Sequence, residues 1–191
     1  MAKIHFVSDH QLNESLGMMY LSANVKAHGH EVELSLLSEY SSINPLVEFI
    51  EETKPDLVAF SVMTPQADMF RIVSRAIKEK TGRTIIWGGP HCMFMLEEVL
   101  KNDFLDIACV GDGEDALLDL MNCIEAGEDY TGIDNLNVKV DGKWIRNPVR
   151  PLEKDLDKYP FPDRDMFYDK YPLLGELTVK RLITSRGCPY K

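Results

Sequence analysis

Four short stretches of this sequence carry residue types able to hold a flat, polar ligand, and three of them directly follow apolar runs. These three are Ser61-Val62-Met63-Thr64, Gly88-Gly89-Pro90-His91 and Gly111-Asp112-Gly113-Glu114, while Asp9-His10-Gln11-Leu12, leading to Leu16, lies near the start. Glycine lets backbone approach a planar molecule because no Cβ intervenes. Ser61 and Thr64 add hydroxyls without filling space, and Glu114 can bond an amide or a ribose. Each stretch also has a plainer reading: a glycine after a strand is often only a turn residue, and Glu114 and Asp115 suit a helix start, where the macrodipole favours acids. Cys92 and Cys109 lie near these stretches without a second pair at zinc spacing, so they read as small packing residues.

The elements that must position these residues alternate in type. Apolar runs at Ile4 to Ser8, Val32 to Leu36, Leu57 to Ser61, Thr84 to Trp87 and Ile107 to Val110 read as strands. Helix-period segments follow at Leu16 to His28, Pro45 to Thr53, Gln66 to Lys80, Phe94 to Lys101 and Glu114 to Ala126. Gly29 suits a left-handed helix stop, and Pro45 a first turn. Five strand-helix units in a row predict an α/β fold, a doubly wound, five-stranded parallel sheet with helices on both faces. In such sheets ligands bind outside the carboxyl ends of the strands, which is where three of the four stretches fall. Beyond residue 127 the pattern changes. Asp141-Gly142 between two alternating runs predicts a β-hairpin, and a proline-rich, acidic and aromatic segment follows as an extended linker expected to lie against a partner surface. The expected division is residues 1–127, then hairpin and linker over 128–176, then 177–191 beginning with an apolar, strand-like run through Leu182 and Ile183.

Composition narrows the function classes. The 191 residues carry a formal net charge of -10, which opposes a phosphate-backbone binder driven by Lys and Arg; nucleic acid is not an expected partner. No apolar run reaches the ~18 to 20 residues that span a bilayer, and the N-terminus lacks a signal-peptide core, so no membrane association is expected and the chain is placed in the cytoplasm. Cysteines without C-x-x-C pairing fit reduced thiols. Other doubly wound folds match poorly: a phosphoacceptor receiver would need an acidic cluster after the first strand, where Asp9 stands, an aspartate where Ser61 stands and a lysine where Gly111 stands, so two of three positions fail, and a dinucleotide binder needs G-x-G-x-x-G where Gly17 stands alone.

Read in order, Leu16-Gly17-Met18-Met19-Tyr20-Leu21-Ser22-Ala23, His28-Gly29-His30-Glu31-Val32, Pro55-Asp56-Leu57-Val58, Gly88-Gly89-Pro90-His91 and Gly111-Asp112-Gly113-Glu114 resemble the N-terminal, Rossmann-like cobalamin-binding domain of cobalamin-dependent radical S-adenosylmethionine enzymes. The closing Ser185-Arg186-Gly187-Cys188-Pro189-Tyr190-Lys191 looks like the front edge of the radical core of that family, where C-x3-C-x2-C holds a 4Fe-4S cluster. The resemblance implies that Ser61 to Thr64, Gly88 to His91 and Gly111 to Glu114 line the corrin and its nucleotide tail, with Asp9 to Leu16 over one corrin face. It implies Cys188 as the first cluster ligand. The related D-x-H-x-x-G pattern, whose histidine ligates cobalt, is not matched by Ser8-Asp9-His10-Gln11-Leu12-Asn13, so the implied state is base-off cobalamin without a histidine ligand. The implied activity of the intact enzyme is radical C-methylation with methylcobalamin, S-adenosylmethionine and the cluster. Its partners would be the radical barrel of the same chain, an electron donor for the cluster and a small-molecule substrate that this sequence does not identify. With one cluster cysteine, the 191-residue chain alone would be inactive. Non-methylating radical chemistry such as cyclisation, and a domain kept only for docking, are the alternative readings.

Overall fold

A computed structural model describes residues 1–9 and 15–187; the expectations at His10, Gln11, Leu12 and Cys188 lie outside the described residues. The strands are β1 (Lys3–Ser8), β2 (Glu31–Leu36), β3 (Leu57–Ser61), β4 (Thr84–Gly88), β5 (Ile107–Cys109), β6 (Leu136–Val140) and β7 (Lys143–Arg146). The helices are α1 (Leu16–Ala27), α2 (Ile43–Thr53), α3 (Ala67–Thr81), α4 (Pro90–Phe94), α5 (Leu96–Val99), α6 (Glu114–Ala126), α7 (Asp165–Tyr168) and α8 (Pro172–Glu176).

All strands form one sheet in the order β2-β1-β3-β4-β5-β6-β7. The first five are parallel, and the hairpin joins β5 antiparallel, so the same sheet continues past residue 127. At the hairpin tip Asp141 has φ 48° and Gly142 φ 75°, the left-handed pair that a tight two-residue connection requires.

Alternation along the strands feeds two cores. On one face Ile4, Phe6, Leu57, Ala59, Ile86, Ile107 and Cys109 pack with α1 and α6. On the other, Val7, Val58, Phe60, Ile85, Trp87 and Ala108 pack with α2, α3 and α5. Burial on both faces explains why the central strands lack polar alternation. The buried Trp87 indole keeps its donor satisfied by Ser74 Oγ at 2.9 Å.

The linker closes on the first of these cores. Phe167 and Leu174 are buried within it while Phe161 stands exposed, so its helices supply the domain's own packing. Residues 177–187 form no strand: Leu182 is 68% exposed. The segment joins neither sheet edge and instead lies across the carboxyl ends of the strands, so the strand-like pattern at Leu182 and Ile183 has no pairing partner to act on.

Candidate functional site

The chain runs from β1 out to β2 and returns to β3 on the other side of β1, the reversal that opens a crevice at the carboxyl edge of such sheets. A cavity of about 400 Å³ lies at that edge and reaches down between the sheet and helices α1 and α6. This falls inside the usual range of ligand sites, roughly 300–1,000 Å³. Phe6, Ala59, Ile86, Leu117, Leu136 and Leu21 form an apolar slot, and Gly17, Ser61, Gly88, Gly89 and Cys109 its upper part.

The slot exists because strands end in small residues on this face. Ser61 pairs in register with Gly88, and Ala59 with Ile86; leucine or phenylalanine at Ala59 or Gly88 would fill the space. A Cβ on Gly88 would meet only Cys109 Cβ, at 3.6 Å, so its openness faces the cavity. Gly89 differs. At φ +90° its missing Cβ would lie 2.9 Å from Val62 N, and this close approach lets Val62 N–H donate to Gly88 O (2.8 Å) and His91 N–H donate to Val62 O (2.9 Å). Burial pushes the Cys109 thiol up to about 12, with Glu114 adding to it, so the wall carries a neutral thiol and not a thiolate.

The mouth is polar and tied from a distance. Asn135 on the approach to β6 donates from Nδ2 to Asp112 O at 2.6 Å, and its Oδ1 accepts from Arg150 N–H at 2.7 Å, which holds the Gly111-to-Glu114 turn in place. Glu114 opens α6 and is 3% exposed. Both its carboxylate oxygens accept from Arg186, Oε2 from Nη1 at 2.8 Å, and Arg186 Nη1 lies 3.1 Å from Asp112 Oδ1. The guanidinium sits 5.8 Å from the Tyr20 ring and 5.9 Å from the Tyr159 ring. Asp112 Oδ2 is buried and has no hydrogen-bond partner among the described residues.

Of the expected residues, Ser61, Gly88, Gly89, Gly111, Asp112, Gly113 and Glu114 line this cavity, whereas Asp9, Leu16, Val62, Met63, Thr64, Pro90 and His91 do not. Pro90 starts α4 directly after Gly89, and that turn carries His91 toward Trp87 on the opposite side of the sheet, with ring centroids 6.4 Å apart. There His91 is buried, its Nδ1 is 3.2 Å from Thr64 Oγ1, and burial lowers its pKa. Val62 is fully buried, Met63 is exposed, and Asp9 accepts from Gln66 Nε2 at 2.6 Å. Leu16 packs against the α1 side of the core. No histidine lines the cavity among the described residues.

Sequence reasoning missed the apolar lining and Arg186. The small Ala59 within Leu57-Val58-Ala59-Phe60 was the available signal for the slot; the pairing of Arg186 with Glu114 spans 72 positions and has no local signature.

Comparison with known proteins gives the following. The family model described as "B12 binding domain" matches residues 4–121. A protein of Pyrococcus horikoshii named as uncharacterized methyltransferase PH0819 is 29% identical over 179 residues, which span 92% of this chain and 39% of that protein. The anaerobic magnesium-protoporphyrin IX monomethyl ester cyclase of Cereibacter sphaeroides is 26% identical over 164 residues, 82% of this chain and 27% of the cyclase. The chain therefore spans well under half the length of either relative. Among solved structures, the radical S-adenosylmethionine methyltransferase TsrM from Kitasatospora setae, with cobalamin and a 4Fe-4S cluster bound, superposes with a TM-score of 0.69 at 21% identity, over 85% of this chain and 31% of TsrM. That likeness is one of fold.

Proposed function

This chain belongs to the B12 binding domain family, and from that premise we propose that its apolar slot receives the nucleotide tail of a base-off cobalamin whose corrin lies over the mouth. The observation that carries the reading is the slot itself, an apolar cleft of about 400 Å³ whose upper part is lined by Ser61, Gly88 and Cys109. The residues fit the group. Gly88 leaves the space a Cβ would occupy, and Asp112 Oδ2, without a partner among the described residues, would accept from an amide N–H on a corrin side chain. A buried acceptor left without a partner costs roughly 1–3 kcal/mol, so a ligand donor there is favoured.

The chain's own part would be to bind the tail in the slot, orient the ring through the Gly111-to-Glu114 turn and exclude water from beneath it. Bound cobalamin would supply a cobalt-centred methyl carrier. Within the whole protein we assign the domain to a radical S-adenosylmethionine enzyme, with Cys188 as first ligand of a 4Fe-4S cluster, and to radical C-methylation in the cytoplasm. The methyltransferase name of the Pyrococcus relative supports this; the cyclase name of the other favours ring formation as the second reading. An electron donor and a small-molecule substrate are the partners this chemistry calls for.

The test is titration of the purified chain with hydroxocobalamin, following retention after desalting and the visible spectrum. Stoichiometric retention with a base-off spectrum is expected. A folded chain that retains none refutes the reading, and a histidine-ligated spectrum would refute the ligand-free lower face and return His10 as a candidate ligand.

A further inference from the structure

One wall of the slot is not supplied by the sheet or its helices. Ile183, Ser185, Arg186 and Gly187 line it from the far end of the chain. Only Arg186 among them makes side-chain hydrogen bonds to the domain that the described residues record, and its side chain is just 14% exposed. It holds both oxygens of the buried Glu114, faces Asp112, and lies close to both the Tyr20 ring (5.8 Å) and the Tyr159 ring (5.9 Å). A two-pronged guanidinium-carboxylate pair is among the stronger polar contacts and fixes direction as well as distance. Removing one partner leaves the other charge buried and unpaired, which is strongly unfavourable. Next to it, Gly187 has φ +85° and a missing Cβ that would lie 2.7 Å from Leu152 Cδ1, so the segment is also seated closely against the linker.

We propose that Arg186 is a positioning residue: by gripping Glu114 and Asp112 it holds residues 183–187 as the closing wall of the cobalamin slot, so that cofactor retention and the order of the segment leading to Cys188 are coupled. The inference rests on the cobalamin reading above. Coupling of affinities is reciprocal: a wall that strengthens cofactor binding is itself stabilised by the cofactor, by the same factor.

The experiment uses the 191-residue chain as wild type, Arg186→Gln and Arg186→Lys, each checked for an intact thermal transition. The affinity for hydroxocobalamin and its release are followed by absorbance, and hydrogen exchange over residues 183–187 is measured with and without it. Wild type should gain protection over 183–187 on binding. Arg186→Gln should bind the cofactor more weakly, by about 5- to 150-fold as is typical of coupled sites, release it faster, and lose that protection. Arg186→Lys should fall between, keeping charge but not the fork. Equal release rates in wild type and Arg186→Gln, or no cofactor-dependent protection in wild type, would overturn the proposal while leaving the cobalamin reading intact. A wild-type chain that retains no hydroxocobalamin overturns both.

Discussion

Two adjacent glycines should respond to substitution in opposite ways. Gly88 shares the face of Ile86 at the end of β4 and lines the slot, and a Cβ there meets one atom at ordinary contact distance, 3.6 Å. In Gly88→Val the new side chain projects into the space assigned to the ligand, and its β-branch suits a strand. Without ligand, the added methyl groups cover apolar wall, so stability should hold or rise. With ligand, the same groups overpack a filled site, which typically costs 1–3 kcal/mol. At 1.4 kcal/mol per decade that is a loss of roughly 5- to 150-fold in affinity. Gly89 sits at φ +90° with its Cβ position 2.9 Å from Val62 N. Gly89, with ψ -176° as well, lies in an extended positive-φ region reserved almost wholly for glycine, so Gly89→Ala strains the backbone by about 1–3 kcal/mol, with a further cost from the displaced Val62 contact, and the fold itself should weaken. The assay pairs urea unfolding with hydroxocobalamin retention for wild type and both variants. If Gly88→Val binds as wild type does, the tail does not pass this point and the placement of the ligand is wrong.

Three other outcomes follow from the geometry. His91→Gln should change hydroxocobalamin affinity by less than about 3-fold, well within a kcal/mol, because His91 is buried beside Trp87 and outside the slot; a tenfold loss by the same titration would place it in the site. Phe167→Ala should cost about 3–5 kcal/mol in urea unfolding, as for large buried aromatics, since Phe167 is fully buried; a loss under about 1 kcal/mol would mean that the linker does not pack as described. Glu33 on β2 has its pKa lowered from 4.5 to about 2, chiefly by His5 and further by Lys3, against the opposing effect of burial. Its folded pKa is depressed, so its contribution is present above about pH 4.5 and lost as pH falls toward about 2. Glu33→Gln should flatten that part of the stability-pH curve measured by urea unfolding, and an unchanged curve would refute the pairing.

The strands were legible because burial on both faces leaves a strong local mark: Leu57-Val58-Ala59-Phe60 and Thr84-Ile85-Ile86-Trp87 can hardly be solvated. Asp141-Gly142 was legible for a different reason, since few residue pairs accept two left-handed positions in succession. What escaped depends on direction. Whether a residue after a strand faces the slot or the opposite core turns on where the next helix begins, and Pro90, a good first residue for a helix, was the sign that His91 leaves the carboxyl edge. The terminal run at Leu182 and Ile183 has the composition of a strand, but a strand is defined by a partner that the sequence does not state. Arg186 shows the same limit, because its partner Glu114 lies in another element and only the fold brings the two charges together.

The hairpin also bears on how this domain can be cut and moved. Stopping the chain at residue 127 would leave β5, three residues long, as a naked border with its hydrogen-bonding groups free, the kind of border through which proteins polymerise. The hairpin replaces that border with β7, four residues bearing Lys143 and Arg146, a short and charged rim that discourages addition of a foreign strand. A transplantable module therefore extends through Leu174, whose side chain is part of the core. Grafts that stop before the hairpin should be recovered as aggregates, whatever their affinity for a cofactor.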